Sequence, residues 1–109
     1  MMSKKLIIAS AITLPLILSA CANNFVDVKK GSEAVSVVDK SKVANCIDKG
    51  KVTVSVTTKV GLYTRSVDTV EADLTQLAKN SALTERADTV VSGESANFGE
   101  RVFSIYQCR

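Results

Sequence analysis

The chain has 109 residues, with 14 Lys and Arg against 11 Asp and Glu, and it contains no His and no Trp. This length allows one small domain and leaves no room for two hydrophobic cores. The lack of His removes the commonest general base, the commonest transition-metal ligand and any Ser-His-Asp triad. The sequence also has no phosphate-binding glycine loop and no dinucleotide fingerprint. We therefore expect a protein that is not an enzyme, with no cofactor, no metal site and no small-molecule substrate.

The first 20 residues have the pattern of an export signal. A short stretch with two lysines precedes an apolar run from Leu6 to Leu18. The run spans 13 residues (18 − 6 + 1), whereas a membrane-spanning helix needs about 20 apolar residues. Pro15 would also interrupt a helix near the end of the run. We expect residues 1–20 to be a cleaved signal peptide, and an uncleaved core helix is the alternative.

The segment Leu18-Ser19-Ala20-Cys21 resembles the lipobox of bacterial lipoprotein signal peptides. The resemblance implies cleavage between Ala20 and Cys21, a diacylglyceryl thioether on Cys21, and acylation of the new amino group, for instance with palmitate. Three acyl chains hold a protein on a membrane far more firmly than one. Ala22 stands where an Asp would resemble an inner-membrane retention signal. We therefore expect a lipid anchor in the outer membrane, on its periplasmic face. A plain export signal followed by an unrelated cysteine is the alternative.

Two cysteines and a balanced charge would remain after cleavage. The 89 remaining residues (109 − 20) carry 12 basic and 11 acidic side chains, which predicts no nucleic-acid partner. Cys46 and Cys108 form an even pair in an exported chain, so an oxidising compartment favours a disulfide between them. A redox-active pair is an alternative, although such cysteines are usually close in sequence. A metal site is another, although here it would lack histidine ligands.

The mature chain divides into a tether at residues 21–32 and one domain at residues 33–109. Runs rich in β-branched residues predict strands at 33–39, 51–60, 87–91 and 101–109. Asp48-Lys49-Gly50 predicts a turn, and residues 61–66 and 94–100 predict loops. In the second strand Val52, Val54 and Val56 alternate with polar residues, so one face should meet a core.

One helix is predicted between the second and third strands. Asp68-Thr69-Val70-Glu71 has the form of a capping box. Val70, Leu74, Leu77 and Ala78 then form one apolar stripe at helical spacing, which predicts a helix over 69–83. The sequence thus predicts an α+β fold, with about four mostly antiparallel strands, one helix packed on the sheet and one disulfide.

Several short motifs resemble a family of small bacterial lipoproteins of undefined function. They are Ala72-Asp73-Leu74 in the helix, Ala87-Asp88-Thr89-Val90-Val91 in a strand, and the closing Tyr106-Gln107-Cys108. That family is similar in fold to the outer-membrane lipoprotein that reports envelope stress to the Rcs phosphorelay. The stress sensor has four domain cysteines and a long proline-rich tether, whereas this chain has two domain cysteines and a short tether without proline.

The anchor and the resemblance together lead to one expected role and one alternative. We expect a lipid-anchored protein of the cell envelope that acts by binding another envelope protein, in a role such as stress reporting. The alternative is a surface-exposed lipoprotein with a structural, adhesion or immune-evasion role.

Overall fold

The computed structural model describes residues 26–109, which form one mixed sheet, one helix and a small hairpin. The elements in chain order are β1 (Ser36–Val37), β2 (Ile47–Ser55), β3 (Lys59–Val60), β4 (Tyr63–Thr64), α1 (Val67–Thr84), β5 (Thr89–Ser92) and β6 (Glu100–Gln107). The sheet has the order β1-β5-β6-β2, and β3 pairs only with β4. β6 runs antiparallel to both neighbours, whereas β1 and β5 are parallel. The predicted α+β class is therefore confirmed.

The core lies between α1 and one face of the sheet. The helix contributes its predicted stripe, extended by one turn, and the strands contribute alternate residues. The fully buried side chains include Val70, Leu74, Ala78 and Ala82 from the helix and Val90, Phe103 and Ile105 from the strands. Leu77, Val52 and Val56 are partly buried against this cluster. The predicted helical stripe of α1 and the predicted alternation in the second strand are both confirmed, because the apolar residues of each pattern face the same core.

The helix begins two residues before its predicted start. Ser66 has extended backbone angles, and its Oγ accepts a hydrogen bond from the Thr69 N–H (3.3 Å). Asp68 therefore lies inside the first turn, where its charge suits the helix dipole. The predicted capping box is wrong, because Ser66 already satisfies the first-turn amide and Glu71 bonds to Arg101 instead.

The predicted turn at Asp48-Lys49-Gly50 lies inside β2 as a β-bulge. The register against β6 shifts between Asp48 and Gly50, and the Gly50 N–H donates to Asp48 Oδ1 (2.7 Å). Gly50 has a φ of +105°, which only glycine adopts at little cost. The turn prediction was wrong because the same residues also suit a bulge.

The expected second strand is also divided. β2 ends at Ser55, and Lys59–Val60 pairs with Tyr63–Thr64 across the tip residues Gly61 and Leu62. Part of the expected loop at 61–66 is therefore the second strand of a hairpin. The expected first strand is shorter than predicted, because Ser32–Ala34 forms a 3-10 turn before β1.

Residues 27–32, within the segment that we expected to be a tether, lie against α1. The Asn80 Nδ2 donates to the carbonyl of Asp27 (2.7 Å), and its Oδ1 accepts from the N–H of Lys29 (3.1 Å). Ser32 is buried and its Oγ accepts from Gln76 (2.9 Å). This segment is part of the folded unit.

Candidate functional site

The connection from β1 to β2, which we name the crossing segment (residues 38–46), passes over the face of the sheet opposite α1. β5 and β6 separate the strands that it joins, so the chain has to cross them. Asp39 and Lys40 line a cavity together with Ser104 and Tyr106. These two β6 residues alternate with Phe103, which faces the helix, so the cavity lies on the other face.

This cavity, the open-face groove, has a volume of about 300 Å³ and a lining of both polar and apolar surface. Its lining includes the polar side chains of Asp39, Lys40, Lys51, Ser104 and Tyr106. Neither lysine forms an ion pair with another described residue. The two ammonium groups outnumber the one carboxylate of Asp39, so the lining carries a net positive charge that suits an anionic or strongly polar partner group.

The disulfide holds the end of the crossing segment. Cys46 and Cys108 are bonded, with an Sγ–Sγ distance of 2.11 Å and 62 residues of separation, so the predicted pairing is present. Cys46 ends the crossing segment and Cys108 follows β6 directly. The bond therefore fixes one end of the crossing segment to the end of β6, one of the two inner strands of the sheet.

Asp88 organises the same end of the molecule through hydrogen bonds. Its Oδ1 accepts from the Cys108 N–H (2.9 Å) and from Thr89 Oγ1 (2.9 Å), and its Oδ2 accepts from the Arg109 N–H (3.0 Å). Desolvation raises the pKa of Asp88, but these three donors and the charge of Arg109 outweigh it, so the net pKa lies below its ordinary value. The Arg109 guanidinium donates in turn to the carbonyl of Ala34 (2.8 Å).

Arg65 organises the opposite end and was not singled out by the sequence. Its side chain is buried, and its Nη2 forms an ion pair with Asp73 Oδ2 (2.5 Å). Its Nη1 donates to the carbonyl of Thr57 (2.7 Å), and its backbone N–H donates to Thr58 (2.7 Å). Arg65 therefore fastens the base of the β3–β4 hairpin to α1. Arg65 and Asp73 are eight residues apart, with the start of α1 between them. This spacing matches no sequence pattern that predicts an ion pair.

The predicted lipidation and cleavage residues, Cys21 and Ala20, lie outside the described residues. Between residues 26 and 109 no group of three or more Cys, His, Asp or Glu side chains is placed to hold a metal ion. No helix of that same range is both long and apolar enough to cross a membrane.

Comparison with known proteins gives one match. A family described as a domain of unknown function (DUF4156) matches residues 26–108, which is nearly all of the described part. No curated protein and no solved structure matches the chain.

Proposed function

Because the chain belongs to the DUF4156 family, whose description names no activity, we propose a function from its own residues. The protein is a non-enzymatic lipoprotein of the cell envelope, anchored to the outer membrane through Cys21, that acts by binding another envelope protein. The observation that carries this proposal is the segment Leu18-Ser19-Ala20-Cys21 at the end of an export signal.

The disulfide is independent support for export. Structural disulfides persist in oxidising compartments such as the periplasm and are rare in the cytosol. With Cys46 and Cys108 paired to each other, Cys21 remains for the lipid. The motifs that end in Tyr106-Gln107-Cys108 support the finer proposal of a fold and role similar to those of the Rcs stress-sensor lipoprotein.

The open-face groove is the surface that we propose for the partner. Lys40 and Lys51 lie at its lining without carboxylate partners among the described residues. An acidic segment of an envelope protein would satisfy both ammonium groups, with Ser104 and Tyr106 as further hydrogen-bond partners. The crossing segment is held at both ends, because the Val38 N–H donates to the Val90 carbonyl (3.0 Å) directly before Asp39 and the disulfide fixes Cys46.

Metabolic labelling with radioactive palmitate tests the anchor. We expect the wild-type chain to be labelled and to fractionate with the outer membrane, and the Cys21→Ala variant to lose both properties. Ala22→Asp is the matched control, because it retains the acceptor cysteine and should move the labelled chain to the inner membrane. An unlabelled wild-type chain would contradict the proposal.

Site-specific photocrosslinking in living cells tests the partner surface. A photoreactive side chain at the exposed Ser92 lies at the groove and leaves both lysines in place, whereas the same group at the exposed Asp68 lies at the start of α1. We expect a discrete adduct from position 92 and none from position 68. Adducts of equal yield from both, or none from either, would exclude the groove. Protease treatment of whole cells should leave the domain intact, and its cleavage would favour the surface-exposed alternative.

A further inference from the structure

The β3–β4 hairpin presents an exposed apolar tip. Leu62 is fully exposed (105%), Tyr63 is 65% exposed and Val60 is 48% exposed. Eight large apolar side chains are exposed among the described residues, and three of them belong to this hairpin. Single exposed apolar residues are ordinary, but three within four positions at a protruding turn form a patch that suits an apolar environment.

Two further exposed apolar residues adjoin the hairpin's base. Val67 follows Arg65 by two positions and opens α1. Phe98 precedes Gly99, whose carbonyl accepts a hydrogen bond from the Val56 N–H (2.9 Å). Five of the eight exposed large apolar residues therefore lie at one end of the domain, which we name the hairpin end.

The hairpin is held firmly. The buried Arg65 ties its base to α1 through Asp73 and to the preceding chain through the Thr57 carbonyl. The apolar tip is thus presented in one orientation relative to the domain.

The described chain also starts at the hairpin end. Val26 lines a groove together with Thr57 and Leu77. Cys21 precedes Val26 by five residues, so whatever their conformation these residues span at most about 18 Å. Leu62 lies four residues after Thr58 at the hairpin's base. By the same limit on extended chain length, it is at most about 14 Å from that base. Ile47 lies at the far end of β2, eight residues from Ser55, which corresponds to about 27 Å along the strand.

We propose that the β3–β4 hairpin inserts Leu62 and Tyr63 into the interface of the membrane that holds the lipidated Cys21. This inference rests on the proposed lipid anchor. The anchor's reach brings the hairpin end to the bilayer, and the fully exposed Leu62 gains an apolar environment there. The amphipathic Tyr63 and the exposed Lys59 suit the headgroup level. The occupant of the patch is therefore a lipid surface.

This second contact would set the orientation of the domain. With the hairpin end at the bilayer, the disulfide lies on the side away from the membrane. The domain would then have one preferred tilt instead of turning freely on its anchor.

Tryptophan fluorescence of the lipidated full chain tests this orientation. The protein has no Trp, so Leu62→Trp reports one position, and the exposure of Leu62 means that the substitution disturbs no packing. The variant is reconstituted in phosphatidylethanolamine and phosphatidylglycerol vesicles with or without brominated acyl chains. We expect blue-shifted emission and at least about twofold quenching by bromine, since the side chain would lie at the acyl boundary. Ile47→Trp is the matched control, because Ile47 is also exposed (61%) and should not be quenched.

Flotation of the same samples separates the outcomes. A chain that floats with the vesicles while Leu62→Trp remains unquenched overturns the insertion and leaves the anchor intact. Equal quenching of Leu62→Trp and Ile47→Trp overturns the preferred orientation. A chain that does not float overturns the lipid anchor, and the insertion that rests on it fails as well.

Discussion

The two ends of this small domain are held by different means. At the disulfide end, Cys46, Asp88, Cys108 and Arg109 join the crossing segment, β5 and the end of β6 by one covalent bond and several hydrogen bonds. At the hairpin end, one buried arginine fastens a two-stranded hairpin whose apolar side chains are exposed. The disulfide end is covalently cross-linked, whereas the hairpin end leaves apolar surface uncovered.

This difference shows that a domain of fewer than 90 described residues combines a cross-linked end with an end that exposes apolar surface. Its hydrophobic core is small, so a covalent link adds stability that the core alone would lack. With the disulfide end restrained in this way, the hairpin end exposes its apolar side chains. Four experiments test this difference between the two ends, in decreasing order of expected effect.

Removal of the disulfide should have the largest effect. The double variant Cys46→Ser with Cys108→Ser removes a covalent link between two positions that are 62 residues apart, so its unfolded chain has more conformational freedom. The chain-entropy account predicts a loss of about 4 kcal/mol in the free energy of unfolding. Urea denaturation followed by circular dichroism measures this loss, and reduced wild-type protein is the control. An unchanged midpoint would show that the covalent link is not what stabilises this end.

The Arg65–Asp73 ion pair should matter more than the other ion pair of α1. Asp73→Asn takes the carboxylate from a buried guanidinium, and we expect a loss of about 2–3 kcal/mol. Glu71→Gln is the matched control, because the Glu71–Arg101 pair is more exposed and should cost under about 1 kcal/mol. Urea midpoints of both variants measure the difference. Equal losses would contradict a special role for Arg65 at the hairpin's base.

Glycine substitutions test how tightly the hairpin's base is packed. A Cβ at Gly99 would lie within 2.3 Å of Thr58 Cγ2, and the φ of Gly99 is +89°. We expect Gly99→Ala to cost about 2 kcal/mol from strain and overlap together. Gly61→Ala has a similar positive φ but open space around it, so strain alone should cost about 1 kcal/mol. Thermal unfolding compares the two, and a larger loss for Gly61→Ala would contradict this packing.

The smallest effect is expected at Asp88 and depends on pH. Asp88→Asn puts an amide where two backbone N–H groups require acceptors, and should cost about 1 kcal/mol at neutral pH. Because folding lowers the pKa of Asp88, its carboxylate stabilises the fold above the ordinary value of 3.8, and this stabilisation is lost as the pH falls through the folded pKa. Urea denaturation from neutral to acidic pH should therefore show the two proteins converging in acid. A constant difference would contradict the assignment.

The core could be predicted from the sequence because it follows local periodicity. Val52 and Val54 alternate with polar residues, and Val70 and Leu74 recur at helical spacing, so each pattern fixes which side of its element is buried. The disulfide followed from counting cysteines. None of these inferences required knowledge of which strands are neighbours.

The remaining features could not be predicted because they depend on residues far apart in the chain. The open-face groove exists because the crossing segment passes over β5 and β6, and no local pattern specifies that path. Arg65 gains its importance only when α1 brings Asp73 beside it. Gly50 has a turn signature in sequence, but pairing with β6 converts the turn into a bulge.

The position of β6 has a consequence for how the domain acquires its fold. β6 is the last strand in chain order, yet it lies between β5 and β2 and pairs with both. Until residues 100–107 have been synthesised, β2 lacks its partner and the helix-facing residues Phe103 and Ile105 are missing from the core. The complete native sheet therefore cannot assemble before residues 100–107 have been made, because β6 joins β2 to the rest of the sheet.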